Sequence, residues 1–211
     1  MTVSGFTFNA FSENTYLLHD DSGECVIVDP GCYEAAEQQA LQAFIEAHNL
    51  RVVLLLNTHC HIDHVFGNRF VLDTYQVPFL IHEADLGTLR AVPAYAPGYG
   101  FTRYQPAEPT DFLTPGQPVH FGHTELEVRF APGHAPGHVV FYHAASGVVI
   151  GGDVLFQGSI GRTDLPGGDY ATLLASIRGQ LLTLPDTTVV YPGHGPATTI
   201  GQERRTNPFL N

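Results

Sequence analysis

The chain has 211 residues, 44% of them hydrophobic, and a formal net charge of −12. This length and hydrophobic content are sufficient for a folded domain with a sizeable core, and they exclude a disordered or fibrous protein. The acidic balance argues against nucleic acid or an anionic membrane as a partner, because both require a concentrated basic surface.

Apolar patterning predicts the elements of the first part of the chain. Short alternating segments at 6–8, 15–18 and 25–28 predict an antiparallel meander of strands. Apolar residues recur at helical spacing over 34–48, which predicts a helix. The continuous apolar run at 52–56 is typical of a strand that is covered on both faces.

The rest of the chain continues the mixture of strands and helices. Further strands are predicted at 79–81, 126–130, 139–142, 148–150 and 188–191. A helix is predicted to begin near Asp169, which is a candidate N-cap. Prolines and glycines interrupt residues 91–118, which form either a loop or broken helix that covers a site or an ordinary surface excursion.

Targeting signals and cysteine pairs are not evident in the sequence. No segment approaches the roughly 18 apolar residues that would span a bilayer, and the segment Met1–Phe6 lacks the basic and apolar regions of an export signal. Cys25, Cys32 and Cys60 have no paired spacing, which fits a reducing compartment. We therefore expect a soluble cytoplasmic protein with one domain over residues 1–211.

Four predicted strands are each followed, within a few positions, by a residue of a metal-binding type. These residues are His59, His134, Asp153 and His194. Ligands in sheets flanked by helices gather outside the carboxyl ends of strands, so the four segments are expected to converge on one pocket. Glycines in the connecting turns would allow the backbone to approach the site closely.

The first of these segments contains the pattern His-x-His-x-Asp-His. His59 and His61 alternate and would project to one side of an extended chain, while Asp63 and His64 follow as the chain turns into a helix containing Phe66 and Phe70. Such a cluster can supply ligands to two metal ions. Imidazole and carboxylate ligands without thiolate favour zinc, iron or manganese.

The segments at 57–64, 131–138, 150–154 and 191–195 resemble the motifs of the metallo-β-lactamase superfamily. The resemblance implies an α+β fold with a four-layer αββα sandwich and two divalent metal ions, with zinc expected and iron or manganese as alternatives. Carried over position by position, it implies a first metal held by His59, His61 and His134, a second held by Asp63, His64 and His194, and Asp153 as a bridge.

The same resemblance implies how the reaction would proceed. Water or hydroxide bridging the metals would be the nucleophile, because a bound divalent cation lowers the pKa of water from about 15.7 to near 7. Asp63 would additionally orient that water, which makes it the expected catalytic residue. Asp29 resembles the structural turn aspartate of the family.

For other residues near the motifs, the expected roles are less specific. Cys60 should point away from the two histidines that flank it and act in packing or support. His138 either hydrogen-bonds near the site or is a structural histidine. The remaining histidines match no motif and are expected on the surface or in the core; among them are His82, His120, His123 and His143.

Residues 158–169 and 203–210 resemble the short bacterial glyoxalase II-like hydrolases. The implied substrate is a small-molecule thioester of the S-acylglutathione type. The chain stops soon after His194, so we expect no separate C-terminal glutathione-binding domain of the kind that full-length members carry. Arg162 is the best candidate for a substrate anion contact, although it could instead fix its loop through Asp164.

Other activities remain open at this point. Residues 58–61 and 161–164 also resemble the persulfide dioxygenases, which use one iron and oxygen. Lactone hydrolysis on the same fold is a further alternative, and a purely structural metal site is a third. The sequence does not indicate an oligomeric state.

Overall fold

The strands of the N-terminal half form a mixed sheet. The structure, a computed structural model, describes residues 1–210. The strands of this sheet are β1 (Thr2–Phe8), β2 (Glu13–His19), β3 (Glu24–Val28), β4 (Arg51–Leu56), β5 (Phe79–His82) and β6 (Asp111–Leu113). β1, β2 and β3 form the predicted antiparallel meander, and β4, β5 and β6 extend the sheet in parallel.

Helices join the parallel strands because such strands need crossover connections. These helices are α1 (Ala35–Ala47), α2 (Asn68–Tyr75) and α3 (Leu86–Tyr95). They cover one face of the sheet and share a core with it, in which Leu41 of α1, Val71 of α2 and Leu89 of α3 pack with strand residues such as Leu55. The first helix confirms the prediction over 34–48.

The C-terminal half forms a second sheet with its own helices. The elements are β7 (Val119–Phe121), β8 (Thr124–Phe130), β9 (Val139–His143), β10 (Val148–Gly152), β11 (Leu155–Phe156), β12 (Ser159–Ile160), α4 (Tyr170–Ser176), β13 (Val189–Pro192), β14 (Thr198–Thr199) and α5 (Ile200–Thr206). β11 and β12 form a separate hairpin, and the other strands pair in the order β14-β13-β10-β9-β8-β7. Asp169 caps α4 as predicted, since its Oδ1 accepts the Thr172 amide at 2.7 Å.

Alternating side chains build the layers between these elements. In β4, Leu55 faces the helices of the first half, whereas Leu54 and Leu56 face the second sheet, where Val128 and Phe141 belong to the same core. A third apolar cluster joins the second sheet to α4 and includes Leu173. The structure is therefore the expected αββα sandwich of the α+β class.

One predicted boundary differs from the structure, and the 91–118 segment begins as the broken helix that is one of its expected forms. Phe66 is not helical, because the amide of Gly67 donates to the carbonyl of Pro30 at 2.7 Å and α2 begins only at Asn68. The start of the 91–118 segment is a helix, since α3 extends to Tyr95 despite Pro93. Proline removes an amide near the last turn, and the helix ends two residues later. No helix within residues 1–210 combines the length and apolar content that crossing a bilayer requires.

Candidate metal centre

The loop after β4 brings four donor side chains towards one cavity. The chain leaves β4 at Leu56, continues through His59 and His61, and then makes a 3₁₀ turn over Ile62–His64. Asn57 closes this loop, because its Nδ2 donates to the backbone carbonyl of His64 at 2.9 Å. The loop therefore presents the whole His-x-His-x-Asp-His pattern from one short segment.

Three strands of the second sheet supply the remaining donors. His134 follows β8, Asp153 follows β10 and His194 follows β13, as the strand-end pattern predicts. The turns are close to the donors, since a Cβ atom at Gly193 would overlap Asp153 Oδ1 and lie 2.7 Å from His64 Cε1. Glycine allows the backbone to pass this near.

Three imidazoles form the first donor group. His61 Nδ1 lies 2.8 Å from His134 Nε2, which lies 3.2 Å from His59 Nε2. Nitrogen ligands at about 2.0–2.1 Å from a tetrahedral zinc ion are about 3.3 Å apart, so these separations are close to those of a zinc site. Burial lowers the pKa of all three rings, to about 3 for His61, and keeps them in the neutral form that binds metal.

Asp63, His64 and His194 form the second donor group. His194 Nε2 lies 3.1 Å from Asp63 Oδ2, and His64 Nε2 lies 3.8 Å from the same oxygen. Asp153 lies between the groups, with its Oδ2 at 3.5 Å from both His134 Nε2 and His194 Nε2. Its Oδ1 is 3.6 Å from His64 Nε2. One carboxylate thus faces both donor groups.

The carboxyl groups of Asp63, in the second donor group, and of Asp153, between the groups, favour the ionised form. Burial opposes the charge of His64, but Asp63 and Asp153 outweigh it and raise the pKa of the ring. For both carboxyl groups, burial likewise opposes ionisation, and the nearby His64 nevertheless lowers their pKa. Because a divalent cation requires ionised carboxylates and neutral imidazoles, it would take the place of the protons on the rings.

Two buried polar atoms test whether a metal fits this space. His64 Nε2 and Asp153 Oδ1 have no hydrogen-bond partner among residues 1–210, although both are shielded from solvent. Such atoms are costly to bury without a partner, and a cation between the imidazoles and carboxylates would satisfy both. The donor set of nitrogen and oxygen atoms suits divalent metal ions.

Backbone carbonyls orient two of the imidazoles. His134 Nδ1 donates to the carbonyl of Arg162 at 2.8 Å, and His194 Nδ1 donates to the carbonyl of Phe11 at 3.1 Å. These contacts leave Nε2 of each ring free to face the cavity. Hydrogen bonds of this kind commonly fix the ring and tautomer of metal-binding histidines.

Asp29, expected to be structural, orients a ring from each donor group. Its Oδ2 accepts hydrogen bonds from His64 Nδ1 at 3.1 Å and from the Thr58 hydroxyl at 2.6 Å. The same hydroxyl lies 3.1 Å from His59 Nδ1. Asp29 also accepts the Thr58 amide at 2.7 Å, so it fixes both the loop backbone and the rings.

A buried carboxylate that the sequence interpretation omitted joins the two donor loops. Asp85 precedes α3 and is fully buried. Its Oδ2 accepts the Cys60 amide at 2.6 Å, and its Oδ1 accepts the Gly137 amide at 2.8 Å. These amides belong to the loops after β4 and β8. The strand-end rule, applied also to β5, would have identified Asp85.

Two residues beside the motifs support the site. His138 is buried, its Nε2 accepts the Asp153 amide at 3.0 Å, and its ring stacks on His59 with centroids 4.7 Å apart. The hydrogen bond near the site, one of the two roles expected for His138, is therefore present. Cys60 packs in the apolar core under the helices, and burial raises the pKa of its thiol, as expected for a packing residue. His82 is half-buried outside both donor groups.

A cavity of about 850 Å³ lies beside the donor groups. His61, Asp63, His134, Asp153 and His194 line it. Its walls come from the β1–β2 turn, from α3 with the 3₁₀ turn after it, and from the β11–β12 hairpin with the loop that follows. The first part of the 91–118 segment therefore covers the site, as one of its two interpretations held.

Arg162 lies at the mouth of this cavity, and its side chain is 60% exposed. Its Nε and Nη2 each lie 2.7 Å from an oxygen of Asp164. This two-pronged ion pair is the loop contact considered as an alternative in the sequence. Nη1 of Arg162 takes no part in this ion pair, because it lies on the other edge of the planar guanidinium group.

Comparisons with known proteins agree on the family to which this chain is similar. The Metallo-beta-lactamase superfamily profile matches residues 9–194. The chain is 38% identical to the hydroxyacylglutathione hydrolase GloC of Haemophilus influenzae over 100% of its own length and 99% of that protein.

Two solved structures are similar over nearly the whole chain. The structure described as BLEG-1 B3 metallo-beta-lactamase has a TM-score of 0.91 and 38% identity, covering 100% of both chains. The structure described as TTHA1623 in a di-iron-bound form has a TM-score of 0.88 and 39% identity, covering 99% of this chain and 100% of that one.

Proposed function

Because this chain belongs to the metallo-β-lactamase superfamily, as a metallo-hydrolase, we propose that it hydrolyses thioesters of the S-acylglutathione type. The observation that carries the proposal is the set of seven His and Asp side chains in two adjoining donor groups with Asp153 between them, five of which line an open cavity. A similar protein of nearly equal length is described as a hydroxyacylglutathione hydrolase, which supports the choice of substrate.

The proposal assigns two divalent ions to the donor groups. The first would be held by His59, His61 and His134, the second by Asp63, His64 and His194, with Asp153 between them. We propose zinc because the imidazole separations of the first group suit it. Iron and manganese are the alternatives, and the di-iron form of TTHA1623 supports iron in particular.

The chain's own residues would position the reactants. The metals, when bound, would lower the pKa of a water molecule and polarise the thioester carbonyl. Asp63 lines the cavity beside His194, and its carboxylate would accept a hydrogen bond from the attacking water. The water oxygen would add to the carbonyl carbon and the carbon–sulfur bond would break. The thiol, with a pKa of about 8–9, would leave as thiolate with little help from an acid.

Arg162 would contact the substrate at the mouth of the cavity. Asp164 occupies Nε and Nη2, so we propose that Nη1 donates to a carbonyl or carboxylate of the glutathione part. A guanidinium held by one carboxylate is already oriented, which reduces the entropy lost when it binds a second group.

The proposal also covers the partners, the compartment and the domain organisation of the protein. The substrate is a small molecule, and the net charge of −12 argues against nucleic acid as a partner. Cys25, Cys32 and Cys60 are unpaired and buried, which supports the cytoplasm as the proposed compartment. We treat residues 1–211 as one domain.

The test combines metal analysis with two assays. Purified protein would be analysed for metal identity and stoichiometry, then assayed for thiol release from S-lactoylglutathione and for oxygen uptake with glutathione persulfide. We expect two metal ions per chain and thiol release without oxygen uptake. One iron per chain with oxygen uptake would overturn hydrolysis in favour of a persulfide dioxygenase.

One similar structure favours a second candidate activity. The structure described as BLEG-1 B3 metallo-beta-lactamase covers all of this chain, so hydrolysis of a β-lactam ring is the second candidate. A chromogenic cephalosporin would be included in the same assay, together with a simple lactone. A kcat/KM for either compound above that for the thioester would replace the first proposal.

A further inference from the structure

The walls of the cavity beside the donor groups are apolar. The apolar residues that line it are Phe11, Ile62, Ala91, Tyr95, Tyr99, Phe156, Ile160, Leu165 and Pro166. They come from four separate parts of the chain, so the apolar character does not follow from a single element. Pockets of this size that are lined mainly by apolar side chains bind ligands that present apolar surface.

The charges near the cavity reinforce this view. Apart from the donor groups, Arg162 is the only charged residue among those that line the cavity. Asp164 lies 2.7 Å from both its Nε and its Nη2, so the pair has no net charge. Glutathione carries two carboxylates and one ammonium group. Apart from the contact proposed for Nη1 of Arg162, the cavity wall therefore offers little charge to attract the glutathione part, and we expect apolar contacts to supply much of the binding free energy.

Two aromatic side chains at the mouth are unusually exposed. Phe11 and Tyr99 are 41% and 63% exposed, and they come from two different segments, the β1–β2 turn and the 3₁₀ turn after α3. The two segments are adjacent, because the Phe11 ring contacts the Phe101 ring with centroids 5.5 Å apart. Phe11 is also tied to the donor groups, because its carbonyl accepts the hydrogen bond from His194 Nδ1. An apolar group bound against both rings would remove part of their surface from water, which is favourable.

Resting on the proposed thioester hydrolysis, we propose that this enzyme selects thioesters whose acyl group is large and apolar, such as an arylalkanoyl group. The acyl chain lies against the apolar walls and the rings of Phe11 and Tyr99, and the thiol part extends past Arg162 towards solvent. A lactoyl group has one methyl group and a hydroxyl, so it would cover little of this surface.

A binding experiment tests the acyl preference without relying on hydrolysis. The metal-loaded protein would be titrated by calorimetry with two uncleavable thioethers, S-(3-phenylpropyl)glutathione and S-propylglutathione. We expect the phenyl compound to bind at least tenfold more tightly, which corresponds to about 1.4 kcal/mol. Equal affinities within twofold would overturn the inference, whatever the enzyme hydrolyses.

Paired variants test whether the aromatic residues at the mouth provide the preference. The double variant Phe11→Ala with Tyr99→Ala should reduce the tenfold ratio to threefold or less. The matched control is Phe209→Ala with Tyr170→Ala, which removes one Phe and one Tyr of similar exposure, 43% and 49%, that do not line the cavity. A ratio that falls equally in both doubles would contradict the assignment. Tyr99→Ala alone serves if the double variant folds poorly.

A hydrolysis experiment separates this inference from the proposed function. The enzyme would be assayed with S-(3-phenylpropanoyl)glutathione and S-propanoylglutathione, whose carbonyl groups have similar intrinsic reactivity. We expect kcat/KM to be at least tenfold higher for the phenyl substrate. Hydrolysis of both at equal kcat/KM would overturn the acyl preference and leave the proposed function intact. If neither is hydrolysed, the proposed function fails, and the thioether titration still decides whether the cavity prefers apolar groups.

Discussion

The two halves of the molecule supply their donor side chains in different ways. The N-terminal half provides His59, His61, Asp63 and His64 from one loop after β4. The C-terminal half provides three donors from three separate strand ends. The first arrangement is local in sequence, whereas the second exists only after the second sheet has formed. The difference shows that a compact motif can be half of a site, with the other half built by the fold.

The largest expected effect comes from removing one donor in either half. His61→Ala and His134→Ala should each lower kcat/KM by more than about 10³-fold, because both rings belong to the same group of three imidazoles. Steady-state kinetics and metal analysis of the purified variants would measure this. His82→Ala is the control and should stay within about twofold.

Equal losses would mean that the local and the dispersed donors are equally necessary. If a His134 variant retained full activity and metal content, the loop after β4 would suffice for the site, and the C-terminal half would not supply a necessary donor. Circular dichroism would check that each variant is folded.

The comparison also explains what could be predicted from sequence. The spacing from His59 to His64 and the strand-end positions of His134, Asp153 and His194 were visible, because strand patterns and donor residues are local signals. The links between the halves were not. The position of Asp85 after β5 follows the strand-end rule, but its contacts with backbone amides of two distant loops exist only in the folded structure. Short strands such as β6 and β14 are defined by pairing with neighbours rather than by their own composition.

Asp85 should have the next largest effect, because it joins the halves at the site. In Asp85→Asn, one of the two amides, Cys60 or Gly137, would face an NH₂ group instead of an oxygen. Loss of such a supporting contact typically costs about 10–100-fold in metal affinity or activity. Metal dissociation constants from competition with a chelating dye, together with kcat/KM, would measure it.

The matched control for Asp85 is an exposed carboxylate on the same half. Asp73→Asn removes an ion pair with Arg69 on α2, where both side chains are about half exposed. Such pairs contribute little, so metal affinity should be unchanged. If Asp85→Asn also left metal affinity within twofold, the halves would be held at the site by other contacts.

Removal of metal should reveal how far the centre stabilises the two halves together. For an ion present at about 1,000 times its Kd, binding stabilises the folded state by about 4 kcal/mol. Chelation should therefore lower Tm by roughly 8–16 °C in a domain of this size. Differential scanning calorimetry with and without a chelator would measure the shift.

The metal-removal experiment has an internal control. The chelator should shift Tm much less in His61→Ala, because that variant has already lost a donor of the first group. An equal shift in wild type and variant would indicate that the chelator acts somewhere other than the donor groups.

The smallest expected effect comes from Asp20, which connects the two halves at the end of β2 away from the donor groups. Asp20 follows β2 at the end opposite Glu13, and its carboxylate accepts the His123 amide at 2.7 Å and the Thr124 hydroxyl at 2.8 Å. It thus joins the first sheet to the β7–β8 turn, away from the donor groups. Asp20→Asn should lower the free energy of unfolding by roughly 1 kcal/mol, since the site is partly exposed, and leave kcat/KM unchanged.

The pH dependence separates this contribution from a general loss of packing. Partial burial opposes ionisation of Asp20, but hydrogen bonds from Ser22 and Thr124 outweigh it and lower its pKa in the folded state. A lowered pKa means that the stabilisation is present above the unfolded pKa of about 3.9 and is lost as the pH falls below it. Urea unfolding should therefore show a constant difference between wild type and Asp20→Asn from about pH 6 to 8 and a smaller one near pH 3. If the difference in the free energy of unfolding were the same at pH 3, the Asp20 side chain would stabilise the contact between the halves by packing and not by its charge.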